Sequence, residues 1–148
     1  MSQIVIHGGI VYLSGQVDQE ATDAEGQTKG EVDANGNRTL GAGRSRFDKD
    51  TNSCTDDFYF LLSVLALYTR DIEGILAKID TLLAAAGTDK SKLISAQIWV
   101  KDISQHFKPM NKVWCAWLDP KSKPVRATVE ANLALPDLLV EIQVTAAV

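Results

Sequence analysis

Apolar and polar positions alternate with a period of two at both ends of the chain and recur with a helical period between them. Gln3 to His7 and Ile10 to Gln16 flank Gly8-Gly9, the pattern of a β-hairpin closed by a two-residue turn. In its second strand Val11 and Leu13 face one side, and Tyr12, Ser14 and Gln16 the other. Gly15 interrupts that strand, which signals either a bulge or close approach by another group. Ile72, Ile75, Leu76, Ile79, Leu82, Leu83 and Ala86 form one helical stripe that Gly87 terminates. Leu93 to Lys101 alternates Ile94, Ala96, Ile98 and Val100 against Ser95, Gln97, Trp99 and Lys101, a strand. After Asp102, the positions Ile103, Phe107, Met110, Trp114 and Trp117 predict a second helix ending near Asp119-Pro120. Its aromatic and Met residues read as core, and His106, at the helix start, as a solvated side chain; His7, at the hairpin, reads the same way. Val125 to Val144 then reads as two alternating strands joined through Leu135-Pro136-Asp137, with Leu138, Val140, Ile142 and Val144 on one face.

One segment breaks this regularity. Asp18 to Thr55 has few large apolar residues and no sustained period, which is loop-like sequence far longer than compact domains usually hold. Gly41-Ala42-Gly43-Arg44 within it is no phosphate loop, since no Lys-Ser/Thr follows. Phe58 to Tyr68 is almost wholly apolar, too short to span a bilayer, and is expected to be buried or to form an interaction surface. Thr55-Asp56-Asp57 is a helix-start signal ahead of it.

The element order is β-β-(insert)-α-β-α-β-β: an α+β fold with a mixed β-sheet and two helices packed on one face. The other face, expected to carry Ser14, Gln97, Trp99 and Thr128, is mixed enough to await a partner subunit. At 148 residues the chain is read as a single domain, 1–148. A net charge of −4 argues against nucleic acid and anionic membranes as partners. Two cysteines, Cys54 and Cys115, and two histidines give no metal-ligand spacing, and no signal peptide is visible. The expected location is therefore cytoplasmic, with free thiols.

Charges on strands of an apolar sheet need partners, because unpaired burial costs several kcal/mol. Arg126 and Glu130 share a strand face, and Glu141 lies on what could be the antiparallel neighbour. The residues alone allow two readings: Arg126 bridges Glu130 or Glu141 structurally, or a fixed cation and a carboxylate form a small site for an anionic ligand and proton transfer.

Several segments, in this order, resemble the YjgF/RidA family of enamine/imine deaminases, also called the endoribonuclease L-PSP family. They are Val11-Tyr12-Leu13-Ser14-Gly15-Gln16, Ile75 to Gly87, Lys92 to Asp102, Met110-Asn111-Lys112-Val113-Trp114, Pro124 to Glu130 and Leu139 to Val144. The resemblance implies a chorismate-mutase-like fold and a homotrimer with sites in the clefts between subunits. It also implies hydrolysis of 2-aminoacrylate-type enamines and imines to 2-keto acids and ammonia, without metal or organic cofactor. Arg126 matches the arginine that holds the substrate carboxylate, as a planar fork can. Glu141 matches the glutamate that positions and deprotonates the attacking water. Ser14 and Gly15 match the motif whose backbone approaches the ligand, and Asn111 a residue lining the cleft. Thr128 stands where the archetypal branch has cysteine and offers a hydroxyl instead. The segment at about 30–74 has no counterpart in the family: it is either a lineage-specific insertion carrying a partner-binding patch or sequence not selected as protein. If real, its apolar run must extend the Ile72–Gly87 helix backwards or pack on the trimer. The alternative function is a non-catalytic trimer that binds small metabolites or proteins. A nuclease would need a basic groove or base-stacking platform that this acidic chain lacks.

Overall fold

The computed structural model describes residues 2–18 and 54–148, with side chains of the long helix described from Leu65 onward, Leu67 excepted. The Gly41-Ala42-Gly43-Arg44 motif, most of the polar segment and the side chains of most of the Phe58–Tyr68 run lie outside the described residues. The N-terminal hairpin forms as the sequence requires: β1 (Ile4–His7) pairs antiparallel with β2 (Ile10–Leu13) in the register His7↔Ile10. Gly8 and Gly9 have φ of 59° and 76°, the doubly left-handed turn that only glycine adopts without cost.

The apolar run does continue into the predicted helix. α1 spans Cys54–Ala85 without a break, and its stripe from Tyr68 through Ile72, Ile75, Leu76, Ile79 and Leu83 is buried. Gly87, at φ 78°, ends it: the Thr88 amide donates to the Leu83 carbonyl and the Gly87 amide to the Ala84 carbonyl, 3.0 Å each. β3 (Leu93–Val100) follows, then α2 (Ile103–Trp117), β4 (Val125–Glu130) and β5 (Val140–Ala147). Asp102 caps α2 by accepting the Ser104 hydroxyl and the Gln105 and Ser104 amides, bonds that hold its carboxyl below the usual carboxylate range.

The five strands form one mixed sheet in the order β1-β2-β5-β3-β4. Both helices sit on one face, over the inward residues Val11, Leu13, Ala96, Ile98, Val100, Val140, Ile142, Val144 and Ala146. Trp117 Nε1 donates to Asp80 Oδ2 at 2.9 Å and ties α2 to α1.

Three expectations are corrected here. β4 and β5 are not neighbours: β4 pairs parallel with β3, and β3 lies between them. A strand–helix–strand connection through α2 delivers β4 parallel to β3, so it takes the outer edge. Thr128 is in register with Ile98 and therefore lies on the helix-covered face, while Val125, Ala127 and Val129 face the open side. Ile94 is 44% exposed and Leu93 is buried in its place, because the β3–β5 register shifts between Leu93 and Ser95. The bulge that Gly15 allowed for is a second irregularity: between Tyr12↔Thr145 and Gln16↔Ile142 three residues of the first segment stand opposite two of β5.

Candidate functional site

The predicted site residues fall into two groups, on opposite faces of the sheet. On the helix-covered side, at the β4 edge, Arg126, Thr128 and Glu130 point toward α2, in register with Ala96, Ile98 and Val100. The Arg126 guanidinium carbon lies 6.0 Å from the centroid of the Phe107 ring and 5.9 Å from that of Trp114. These two residues are seven apart on α2, two turns of one helix face, and Asn111 is a turn beyond Phe107 on the same side. The cation is thus steered by ring quadrupoles. No carboxylate among the described residues pairs with it. Glu130 instead accepts the Ile103 amide at 2.8 Å and anchors the start of α2. Thr128 Oγ1 is buried and has no hydrogen-bond partner among the described residues.

On the open side, Glu141 stands opposite Trp99 in the β3–β5 register. The Ser14-Gly15-Gln16 segment leaves β2 and rejoins the sheet through a bridge: the Gln16 amide donates to the Ile142 carbonyl at 2.8 Å and the Ile142 amide to the Gln16 carbonyl at 2.9 Å. That bridge sets Gly15 directly against the Glu141 side chain. Gln16 is 1% exposed, and its Nε2 lies 2.9 Å from Gln3 Oε1 and from Ser14 Oγ, so the motif is knitted to the first strand. Gln16 Oε1 is buried without a partner among the described residues.

Arg126 and Glu141 are therefore not a structural bridge. Arg126 is level with Ala96, and Ala96 with Val144, so the two charged residues are two strands and three positions apart. Strand spacing and rise put their Cα atoms about 14 Å apart, with side chains on opposite faces. That exceeds the length of any three- or four-carbon ligand. One chain supplies two half-sites and joins neither to the other.

A concavity of 510 Å³ opens on the uncovered face, lined by Tyr12, Gln97, Ala127, Gln143 and Thr145 among others, and does not include Glu141. Arg126 borders it from β4, but its guanidinium is turned to the helix-covered face. The surrounding face exposes Tyr12, Val125 and Val129.

The sequence pattern missed His106. It is half-buried and stacks on Tyr68 of α1, with ring centroids 4.6 Å apart, rather than being solvated. Burial pushes its imidazole below the ordinary histidine range, with Asp102 opposing and Lys101 adding to the shift. Burial, with Asp71 nearby, likewise raises the Tyr68 phenol. His106 is four residues before buried Met110 and eight before buried Trp114, a spacing that would have placed it on the core stripe. His7 is exposed, as expected. Among the described residues no group of three or more His, Cys, Asp or Glu is placed to hold a metal ion, and no helix is long and apolar enough to cross a membrane.

Comparison with known proteins points to a single family. The sequence profile described as Endoribonuclease L-PSP covers residues 65–148. Among curated proteins, a RutC family protein of Haemophilus influenzae is 44% identical over 78 residues, 53% of this chain and 64% of the relative. The RutC family protein YoaB of Escherichia coli is 44% identical over 73 residues, 49% of this chain and 63% of the relative. The matched stretch thus spans slightly under two thirds of these relatives. Among solved structures, a member of the YjgF protein family from Neisseria meningitidis superposes with a TM-score of 0.65 at 28% identity, covering 99% of this chain and 86% of that one. A YjgF-family protein from Mycobacterium tuberculosis superposes with a TM-score of 0.61 at 22% identity, covering 100% and 86%.

Proposed function

The chain belongs to the endoribonuclease L-PSP family, the group that carries the YjgF and RutC names, and we propose that it hydrolyses small enamines and imines of the 2-aminoacrylate type to 2-keto acids and ammonia. The observation that carries this reading is the pairing of an uncompensated, ring-steered Arg126 with a Glu141 carboxylate held on the opposite face. A guanidinium without a carboxylate partner is a binding site for one. Because the two lie too far apart within one chain, the working cleft forms between copies: the β4 edge of one chain meets the open sheet face of another, as in the homotrimer the family resemblance implies.

In that cleft Arg126 holds the substrate carboxylate by two parallel hydrogen bonds, with Asn111 beside it and Thr128 in the layer behind. The enamine takes a proton at C3 and becomes the imine. Glu141 takes a proton from water as the water oxygen bonds to C2 of the imine, and the C=N electron pair moves to nitrogen, which is protonated. The resulting carbinolamine then loses its C–N bond, ammonia leaves, and the hydroxyl proton is shed as the keto carbonyl forms. All atoms come from imine and water, so no cofactor enters the balance.

The test generates 2-iminopropanoate or 2-iminobutanoate in situ with a pyridoxal-phosphate dehydratase and follows keto acid and ammonia release. Wild type accelerates release, Arg126→Ala abolishes it, and Glu141→Ala nearly does. Unchanged turnover in both variants refutes the reading. Binding of a 2-keto acid without any imine hydrolysis favours instead a non-catalytic, metabolite-binding trimer, a reading that Thr128 in place of cysteine supports. The endoribonuclease of the family name finds little support in an acidic chain whose open-face concavity is lined mainly by Tyr12, Gln97, Gln143, Thr145 and apolar residues.

A further inference from the structure

We infer that Gly15 is a positioning residue for Glu141: the side chain it lacks is the space in which the Glu141 carboxylate is seated. This rests on the reading of Glu141 as the group that handles water. A β carbon placed on Gly15 would lie 1.8 Å from Glu141 Oε1, 2.8 Å from its Cδ and 3.2 Å from its Cγ. The first two separations are shorter than any real contact, and the third is tight. Backbone conformation does not explain the glycine, because the positive-φ glycines are Gly8, Gly9 and Gly87, and Gly15 is not among them. Nothing about its φ requires a residue without a β carbon. What requires it is Glu141.

Neither backbone can retreat to make room. Residue 16 is clamped to residue 142 by the two bridge hydrogen bonds, and β5 is itself held by β3 through the pair Trp99↔Glu141. Only the torsions of the Glu141 side chain can yield. A methyl at position 15 therefore leaves the sheet standing and drives the carboxylate out of its seat by an ångström or more. For a group that must aim water at one carbon, a displacement of that size costs about a hundredfold in rate. The Ser14 and Gln16 hydrogen bonds to Gln3 fix the segment from the other side, which is why the seat is rigid. The motif thus acts as a socket for a carboxylate on a strand remote in sequence, besides offering backbone to a ligand.

The experiment is a double-mutant cycle on the full chain: wild type, Gly15→Ala, Glu141→Ala and the double variant, each read by thermal unfolding and by the coupled imine assay. Gly15→Ala is expected to lower the unfolding midpoint in the wild-type background and to have no effect in the Glu141→Ala background, where the methyl has room. Should Gly15→Ala alone fail to fold, recovery of folding by Glu141→Ala is the same outcome. An equal loss of midpoint in both backgrounds overturns the inference. In the assay Gly15→Ala lowers kcat about a hundredfold while KM changes less than threefold, and it displaces the acid limb of the pH–rate profile. An unchanged kcat and pH profile also overturns it. If wild type hydrolyses no imine, the unfolding cycle still decides whether Gly15 seats Glu141, so the two failures are distinguishable.

Discussion

Replacing Arg126 with alanine separates a structural cation from a functional one. Were Arg126 half of a buried ion pair, removing it would strand a carboxylate and cost about 3–5 kcal/mol of stability. Its surroundings predict much less. Glu130 is committed to the Ile103 amide, Glu141 is on the other face of the sheet, and what Arg126 touches is the Phe107 and Trp114 rings near 6 Å. Losing two partly solvated cation–π contacts costs about 1–2 kcal/mol. For a domain of this size that is a midpoint shift of about 2–8 °C. Catalysis should suffer far more. A bidentate guanidinium–carboxylate hold contains two charge-assisted hydrogen bonds of about 1.5–3 kcal/mol each, so their loss lowers kcat/KM by roughly two to four orders of magnitude. Arg126→Lys keeps the charge but not the fork, and should fall between. The measurements are urea unfolding and the coupled dehydratase assay on the same preparations. A stability loss above about 3 kcal/mol together with near-wild-type turnover would refute the reasoning, since it is the signature of a broken buried pair.

Three further outcomes follow from the same geometry. Gly87→Ala forces a β carbon onto a residue at φ 78° and should destabilise by about 1 kcal/mol in urea melts, with activity intact. Trp117→Phe keeps the apolar ring but removes the 2.9 Å bond to Asp80, and should cost about 0.5–1.5 kcal/mol, an effect that disappears in an Asp80→Ala background. The His106 pKa is lowered in the folded state, so the unfolded chain takes up the proton first. Stability should be flat above the ordinary histidine range and fall as pH drops through it, and His106→Phe, which preserves stacking on Tyr68, should flatten that fall in melts at stepped pH.

Strand and helix identities were legible because burial imposes a period, clearest in β3, β5 and the stripe of α1, which bury one face. The sheet order was less so. The short connection from Glu130 to Leu138 reads as a hairpin, yet the β3–α2–β4 unit claims one side of β3 and leaves β5 the other. A helix between two strands implies parallel pairing, so the clue was present in the helical stripe of α2. Placing Thr128 on the open face failed for a related reason: alternation divides a strand into two faces without saying which one meets the helices. Arg126, Glu141 and Gly15 stood out by residue type and motif. Their grouping did not, because the Gln16–Ile142 bridge joins positions 126 residues apart and leaves no local trace.

The strand order also governs how the molecule can be made. β5 is the last of the described strands but central in the sheet, and among them it alone hydrogen-bonds to both the β1–β2 hairpin and the β3–β4 pair. Until residues 140–147 have left the ribosome, the nascent chain holds two separate sheet fragments, each with an unpaired edge and an apolar face. The join therefore waits until the last of these five strands has emerged. A lesion in this one strand should trap newly made chains as sticky halves, which quality-control machinery would meet before any question of catalysis arose.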